Sequence, residues 1–355
     1  MSIAGLAREE LRALKPYEAA AQVDGAIRLN ANEAHWNATN GFRRPMNRYP
    51  EVRPARLREM LASRYGCSEP ELLVTRGSSE AIDLLVRAFC RPGTDNLVTT
   101  TPTFSMYRHY ARVQGAEYRE VTTDREQDFA VDADAILSAC DDDTRLVFLC
   151  TPNNPTGTSI PSEVIKRVLE GRKDKSAVVV DEAYIEFSGR GSVVPLLQQY
   201  DNLIVLRTLS KALAFAGARC GSVIGPPDVI AILNAIQAPY ALATPVVECV
   251  EDALTDERLV EARRQVEETV REREQLMDAV SRFGFVTRVW PSDTNFFLIS
   301  VSDVGRVLDL AAADNVLLRY FGTDLADCIR ITVGSRDEND RLLAALAAAE
   351  RVANV

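Results

Sequence analysis

Three continuous apolar runs, Leu146–Cys150, Ala177–Val180 and Leu203–Leu206, each stop abruptly at a polar segment. Unbroken runs of this length are characteristic of parallel strands covered on both faces by helices. Leu72–Thr75 and Leu97–Thr99 read as further short strands, and the stretch opened by Ser78 places Ile82, Leu85, Val86 and Phe89 on one helical face. The region from Leu72 to about Ile224 is therefore expected to be an α/β core with a mostly parallel sheet. Ligands of such sheets bind beyond the carboxyl ends of the strands, so the three polar segments should converge on one site.

The character changes after the turn-rich residues 238–245. Roughly Asp256–Phe283 is a highly charged helical pattern, with Leu259, Val266, Val270, Met277 and Val280 on its apolar side. Phe296–Val301 and Cys328–Val333 read as strands of a smaller α+β domain, closed by a helix through Leu342–Val352. The expected division is an N-terminal arm (1–44) packing on the smaller domain, a large domain (45–245) and a small C-terminal domain (246–355). A formal charge of −10 leaves no basic footprint for nucleic acid or an anionic membrane. No apolar run approaches a membrane span and the N-terminus lacks the order of a secretion signal, so a cytoplasmic location is expected. Seven cysteines without paired spacing and two distant histidines, His35 and His109, point to neither a disulfide framework nor a metal site.

The polar segments carry the chemistry. Thr151-Pro-Asn-Asn-Pro-Thr-Gly157 follows the first run, and an Asn held before proline can aim its amide into a cleft; an ordinary Asn-Pro turn is the alternative. Asp181-Glu-Ala-Tyr184 follows the second. A carboxylate at the end of an apolar strand needs a partner, and a protonated ring nitrogen would serve; a helix N-cap is the alternative. The third run leads into Arg207-Thr-Leu-Ser-Lys211, with Arg219 eight residues further on. A lysine can form a Schiff base with an aldehyde, while hydroxyls and a guanidinium hold a phosphate. Pyridoxal 5′-phosphate requires both. Upstream, Arg76-Gly-Ser-Ser-Glu80 joins a strand to a helix, suited to a phosphate or simply a helix cap, with Glu80 and Asp83 slightly opposing an anion.

The order of phosphate cap, Phe104, Asn154, Asp181, Tyr184, Lys211 and Arg219 resembles the large domain of fold-type I pyridoxal-phosphate transferases. The resemblance extends over nearly the whole chain and is closest to the histidinol-phosphate aminotransferase branch. It is carried by Leu29-Asn-Ala-Asn-Glu33, Asn47-Arg-Tyr-Pro-Glu51, Leu242-Ala-Thr-Pro245 and Arg330-Ile-Thr-Val-Gly-Ser-Arg336 beside the segments above. It implies a seven-stranded, mostly parallel sheet plus a smaller α+β domain, and a pyridoxal-phosphate-dependent exchange between L-histidinol phosphate with 2-oxoglutarate and imidazole-acetol phosphate with glutamate, in histidine biosynthesis.

By the same resemblance Asp181 pairs with the pyridine nitrogen, and Asn154 and Tyr184 bond the ring oxygen. Gly77, Ser78, Ser79, Thr208, Ser210 and Arg219 surround the cofactor phosphate, and Phe104 stacks on the ring. Tyr49 reaches the neighbouring subunit's cofactor, making the active unit a homodimer. Arg330 binds the anionic end of each substrate, Arg319 assists with the phosphate, and Asn32 lies on the substrate side. Phe104 stands where the branch often has tyrosine, Ser79 where it often has Asp, and the proline often found after Glu33 is missing. His35 and Trp36 are expected to be surface residues. An aromatic or broad-specificity aminotransferase, or a threonine-phosphate decarboxylase, would use the same large domain.

Overall fold

In the computed structural model, residues 2–23, 25–38 and 41–353 are described. Seven strands form the main sheet: β1 (Leu72–Thr75), β2 (Asn96–Thr101), β3 (Glu117–Thr122), β4 (Thr144–Cys150), β5 (Ala177–Asp181), β6 (Leu203–Thr208) and β7 (Gly221–Ile224). Their order is β1-β7-β6-β5-β4-β2-β3, and β7 alone runs antiparallel to its neighbours.

Alternate side chains of the central strands enter opposite cores. Val147, Leu149, Val178, Val180, Leu203 and Val205 meet helices 55–65, 162–171 and 244–253 on one face. Leu146, Phe148, Ala177, Val179, Ile204 and Leu206 meet helices 77–89 and 227–236 on the other. This double cover is why these strands carry no polar alternation. β3, Glu-Tyr-Arg-Glu-Val-Thr, is the exception: it is an edge strand, and a half-exposed edge tolerates polar residues.

A second sheet, order β10-β11-β9-β8, is antiparallel throughout: β8 (Val286–Val289), β9 (Phe296–Val301), β10 (Arg319–Tyr320) and β11 (Cys328–Thr332). Helix Asp256–Val280 bridges the two cores. Leu259, Val266 and Val270 pack on the main core, while Leu276 and Val280 enter the smaller one. Arg273 is buried on this helix, within the apolar side, one turn from both Val270 and Met277. It donates to the carbonyl oxygens of Thr294 (2.8 Å) and Phe187 (3.4 Å), one from each unit.

The N-terminal residues differ from expectation. Ile3 and Ala7 are buried among helices 77–89 and 227–236 of the main sheet, and Arg8 N–H donates to Ala88 O at 2.9 Å. The start of the arm therefore docks on the large unit rather than the smaller sheet. Its apolar Ile3 finds a ready core there. Among the described residues no helix is long and apolar enough to cross a membrane.

Candidate active site

The carboxyl ends of β4, β5 and β6 open into one cavity of about 670 Å3, roofed by β10 and β11 of the smaller sheet. Asn154 enters it after β4, Asp181 and Tyr184 after β5, and Thr208, Ser210 and Lys211 after β6. Ser78 and Ser79 line it from the start of helix 77–89, Phe104 from the turn after β2, and Arg219, Arg319 and Arg330 complete the wall.

One end of the cavity is built for an anion. Gly77 begins the helix at φ +74°, and a Cβ there would stand 2.7 Å from a terminal nitrogen of Arg219. Only glycine lets the guanidinium lie across the helix N-terminus, where unpaired N–H groups already favour negative charge. Arg219 donates to Ser210 Oγ at 3.3 Å and to Ala216 O at 3.1 Å, and Thr208 Oγ1 donates to Ser210 Oγ at 3.0 Å. No carboxylate among the described residues pairs with Arg219. The opposition expected from Glu80 and Asp83 is neutralised locally: Glu80 accepts from Arg76 at 2.7 Å and Asp83 from Arg87 at 2.8 Å.

Asp181 occupies the floor, 2% exposed. Its Oδ2 accepts from the Tyr107 hydroxyl at 2.8 Å and its Oδ1 from the Ala183 N–H at 3.2 Å. Burial pushes its carboxyl up to about 6, opposed by those two hydrogen bonds and by the charge of Lys211. The Lys211 ammonium lies 5.3 Å from the Tyr184 ring centroid. Although Lys211 opens onto the cavity, the surrounding wall desolvates its amine and Arg330 and Arg219 repel its charge, so its pKa is lowered. A neutral amine is the nucleophilic form.

At the roof, Arg330 donates to Asn154 Oδ1 at 2.5 Å and lies 4.9 Å over Phe296 and 5.4 Å over Phe321. Its Nε is buried without a hydrogen-bond partner. Arg319 faces it across the β10–β11 pair and also lies over Phe321, at 5.4 Å. Neither arginine has a carboxylate partner among the described residues, so both are free to take an oxyanion. Asn154 is therefore bonded to Arg330 here, although its place on the cavity wall also suits a ring oxygen.

Tyr49 and Asn32 do not line this cavity. Tyr49 is half exposed and stacks on Tyr240 at 4.7 Å, beside a second cavity. His35 and Trp36 are exposed. Glu33 explains why the Leu29–Glu33 and Asn47–Glu51 segments belong together: its carboxylate accepts from Arg28 (2.5 Å), Arg48 (2.8 Å) and the Tyr49 N–H (2.8 Å). Sequence reasoning missed Cys150 on the floor, Tyr107 beneath it and Phe321 on the roof.

The residues fit an aldehyde-and-phosphate cofactor with a basic ring nitrogen. A buried carboxylate on the floor faces the cavity without a cationic hydrogen-bond partner, an amine with a depressed pKa stands beside it, and a guanidinium crosses a helix N-terminus at one end. The arginine pair at the roof remains for the substrate.

A family model described as aminotransferase class I and II matches residues 21–346. A histidinol-phosphate aminotransferase of Stenotrophomonas maltophilia is 43% identical over 352 residues, covering 98% of this chain and 97% of that protein. The histidinol-phosphate aminotransferase of Sinorhizobium meliloti, solved in complex with pyridoxal 5′-phosphate, shares the fold with a TM-score of 0.79 at 24% identity, over 87% of this chain and 84% of that one. L-threonine-O-3-phosphate decarboxylase from Porphyromonas gingivalis also shares it, with a TM-score of 0.73 at 22% identity over 85% and 90%. The fold alone thus does not separate the two reactions.

Proposed function

This chain belongs to the class I and II aminotransferases, and on that premise we propose that it is a histidinol-phosphate aminotransferase dependent on pyridoxal 5′-phosphate. It exchanges the amino group between L-histidinol phosphate and 2-oxoglutarate. The observation that carries the choice of substrate is the 43% identity over 98% of the chain to a histidinol-phosphate aminotransferase. The facing pair Arg319 and Arg330 suits an alternation of phosphate and carboxylate at one place.

Bound in this cavity, pyridoxal 5′-phosphate supplies an aldehyde for the amine and a ring that takes up the electron pair released at the substrate Cα. Arg219, Ser210, Ser78 and the start of helix 77–89 hold the phosphate, with Ser79 and Thr208 beside them. Asp181 would accept the ring N–H and keep that nitrogen protonated, while Asn154 and Tyr184 would donate to the ring oxygen. Phe104 covers one ring face. Lys211 Nζ, its pKa lowered by its surroundings, would take a proton from the substrate Cα and hold it for return. Arg330 grips the substrate's anionic end, with Arg319 assisting for a phosphate and Asn32 on the substrate side.

The working division is an arm (1–44), a large unit (45–245) and a small unit (246–355), and the active unit is a homodimer in which Tyr49 reaches the partner's cofactor phosphate. The half-exposed Tyr49 and the exposed Tyr17, Val23, Ile27, Leu29, Trp36 and Phe42 support this, because so many apolar side chains in one segment require a cover. We place the enzyme in the cytoplasm, where the seven free thiols would stay reduced. A single-turnover comparison tests the substrate. L-Histidinol phosphate should convert the loaded enzyme to its amino form, and conversion by phenylalanine alone, or carbon dioxide release from threonine phosphate, would contradict the assignment.

A further inference from the structure

Asp181 touches one side chain by hydrogen bond, and that side chain is not among the residues that line the cavity. Tyr107 lies on helix Met106–Gln114, fully buried, with its hydroxyl 2.8 Å from Asp181 Oδ2. Its ring is stacked on Phe148 of β4 (4.7 Å, 21°), and Phe104 meets it edge-on (5.8 Å, 86°). Held by both rings, the phenol cannot swing away from the carboxylate. It also joins the cavity-wall ring of Phe104 to the floor carboxylate through one rigid side chain.

Apart from the Ala183 N–H on Oδ1, the groups facing Asp181 leave it little other support. Cys150 stands beside it on β4 with a thiol pushed up to about 12 by burial, and is therefore uncharged. β6 contributes the apolar Leu206. Tyr184, three residues further along the same loop, is neutral because burial raises its pKa. Lys211 is the one cation in range, and it has to give up its charge before it can act as a base. Burial of Tyr107 likewise raises its pKa well above the ordinary value, so the phenol stays a donor at every working pH.

We propose that Tyr107 is a positioning residue for the amino-transfer reaction: its hydroxyl holds Asp181 as an anion and aims the free lone pairs of that carboxylate at the cofactor's ring nitrogen. The proposal rests on the reading of the cavity as a pyridoxal-phosphate site. A carboxylate that lost this donor would protonate at higher pH, because a hydrogen bond to the charged form is what favours that form in a buried place. A neutral acid cannot keep the ring nitrogen protonated.

Tyr107→Phe removes one oxygen and keeps both ring contacts. Cofactor uptake by the cofactor-free chain, followed by fluorescence between pH 5 and 9, is the direct reading. In the unaltered chain affinity should fall on the acid side as Asp181 protonates. In the variant that midpoint should move to higher pH, with affinity at neutral pH lowered about tenfold, the typical effect of one hydrogen bond to a charged group. On an Asp181→Asn background the same change should have almost no effect. An unmoved midpoint in Tyr107→Phe, or an equal loss of affinity on the Asp181→Asn background, would overturn the role of Tyr107 while leaving the site intact. Failure of the unaltered chain to take up the cofactor would instead overturn the reading of the cavity, and the proposal with it.

Discussion

Arg319 and Arg330 stand directly opposite each other on the antiparallel strands β10 and β11, both over the ring of Phe321. Like charges placed so are unfavourable by themselves, and burial together with Arg319 lowers the pKa of the Arg330 guanidinium. A bound dianion would convert that repulsion into attraction. Arg319→Ala is expected to raise KM for L-histidinol phosphate roughly tenfold while sparing glutamate, and Arg330→Ala to weaken both by roughly tenfold to a hundredfold. Steady-state kinetics with each substrate in turn checks the split.

Gly77 is expected to tolerate no side chain. Gly77→Ala forces a β-carbon against the Arg219 guanidinium and holds alanine at φ +74°. It should destabilise the chain by more than about 1 kcal/mol and weaken cofactor binding as Arg219 is displaced. Denaturant unfolding and cofactor titration read the two effects separately.

The lowered pKa of Lys211 has a sign that can be checked. An ordinary lysine amine is half neutral near about pH 10.4, so Lys211 in the cofactor-free chain should react with an aldehyde at lower pH than the other lysines. Arg330→Ala removes a repelling charge and should move the Lys211 midpoint upward. Peptide-resolved labelling against pH gives both midpoints, and a downward move would contradict the electrostatic account.

Glu33 ties the segment carrying Tyr49 to the arm through Arg28, Arg48 and the Tyr49 N–H. Removing this buried carboxylate in Glu33→Ala should cost about 3 kcal/mol of stability. It should also lower cofactor affinity to the level of Tyr49→Phe, with little further loss in the double variant, if Tyr49 serves the partner's site. Titrations of the three variants test this coupling.

The central strands and their polar ends were legible because burial on both faces forces unbroken apolar runs, and because the chemistry falls where such runs stop. Leu72–Thr75 matches β1 residue for residue. β3 was not legible, since an edge strand needs no apolar run, nor was β7, four residues between a loop and a turn. Arg273 escaped because a long side chain can be buried when it finds carbonyl acceptors that only the tertiary fold supplies. Tyr107 escaped for the same reason: nothing local to it announces a carboxylate 74 positions away. Glu80 was misjudged as opposing an anion because its local ion pair with Arg76 depends on how the helix begins.

The chain has five lysines, and Lys15, Lys166, Lys173 and Lys175 all lie outside the cavity. Borohydride reduction of the loaded enzyme, followed by digestion and mass spectrometry, asks which of them carries the cofactor. The account predicts the pyridoxyl phosphate mass on the Lys211 peptide alone, and a Lys211→Ala chain that still binds the cofactor reversibly but carries no reducible label and has no turnover. A label on any other lysine, or normal turnover by Lys211→Ala, would contradict it.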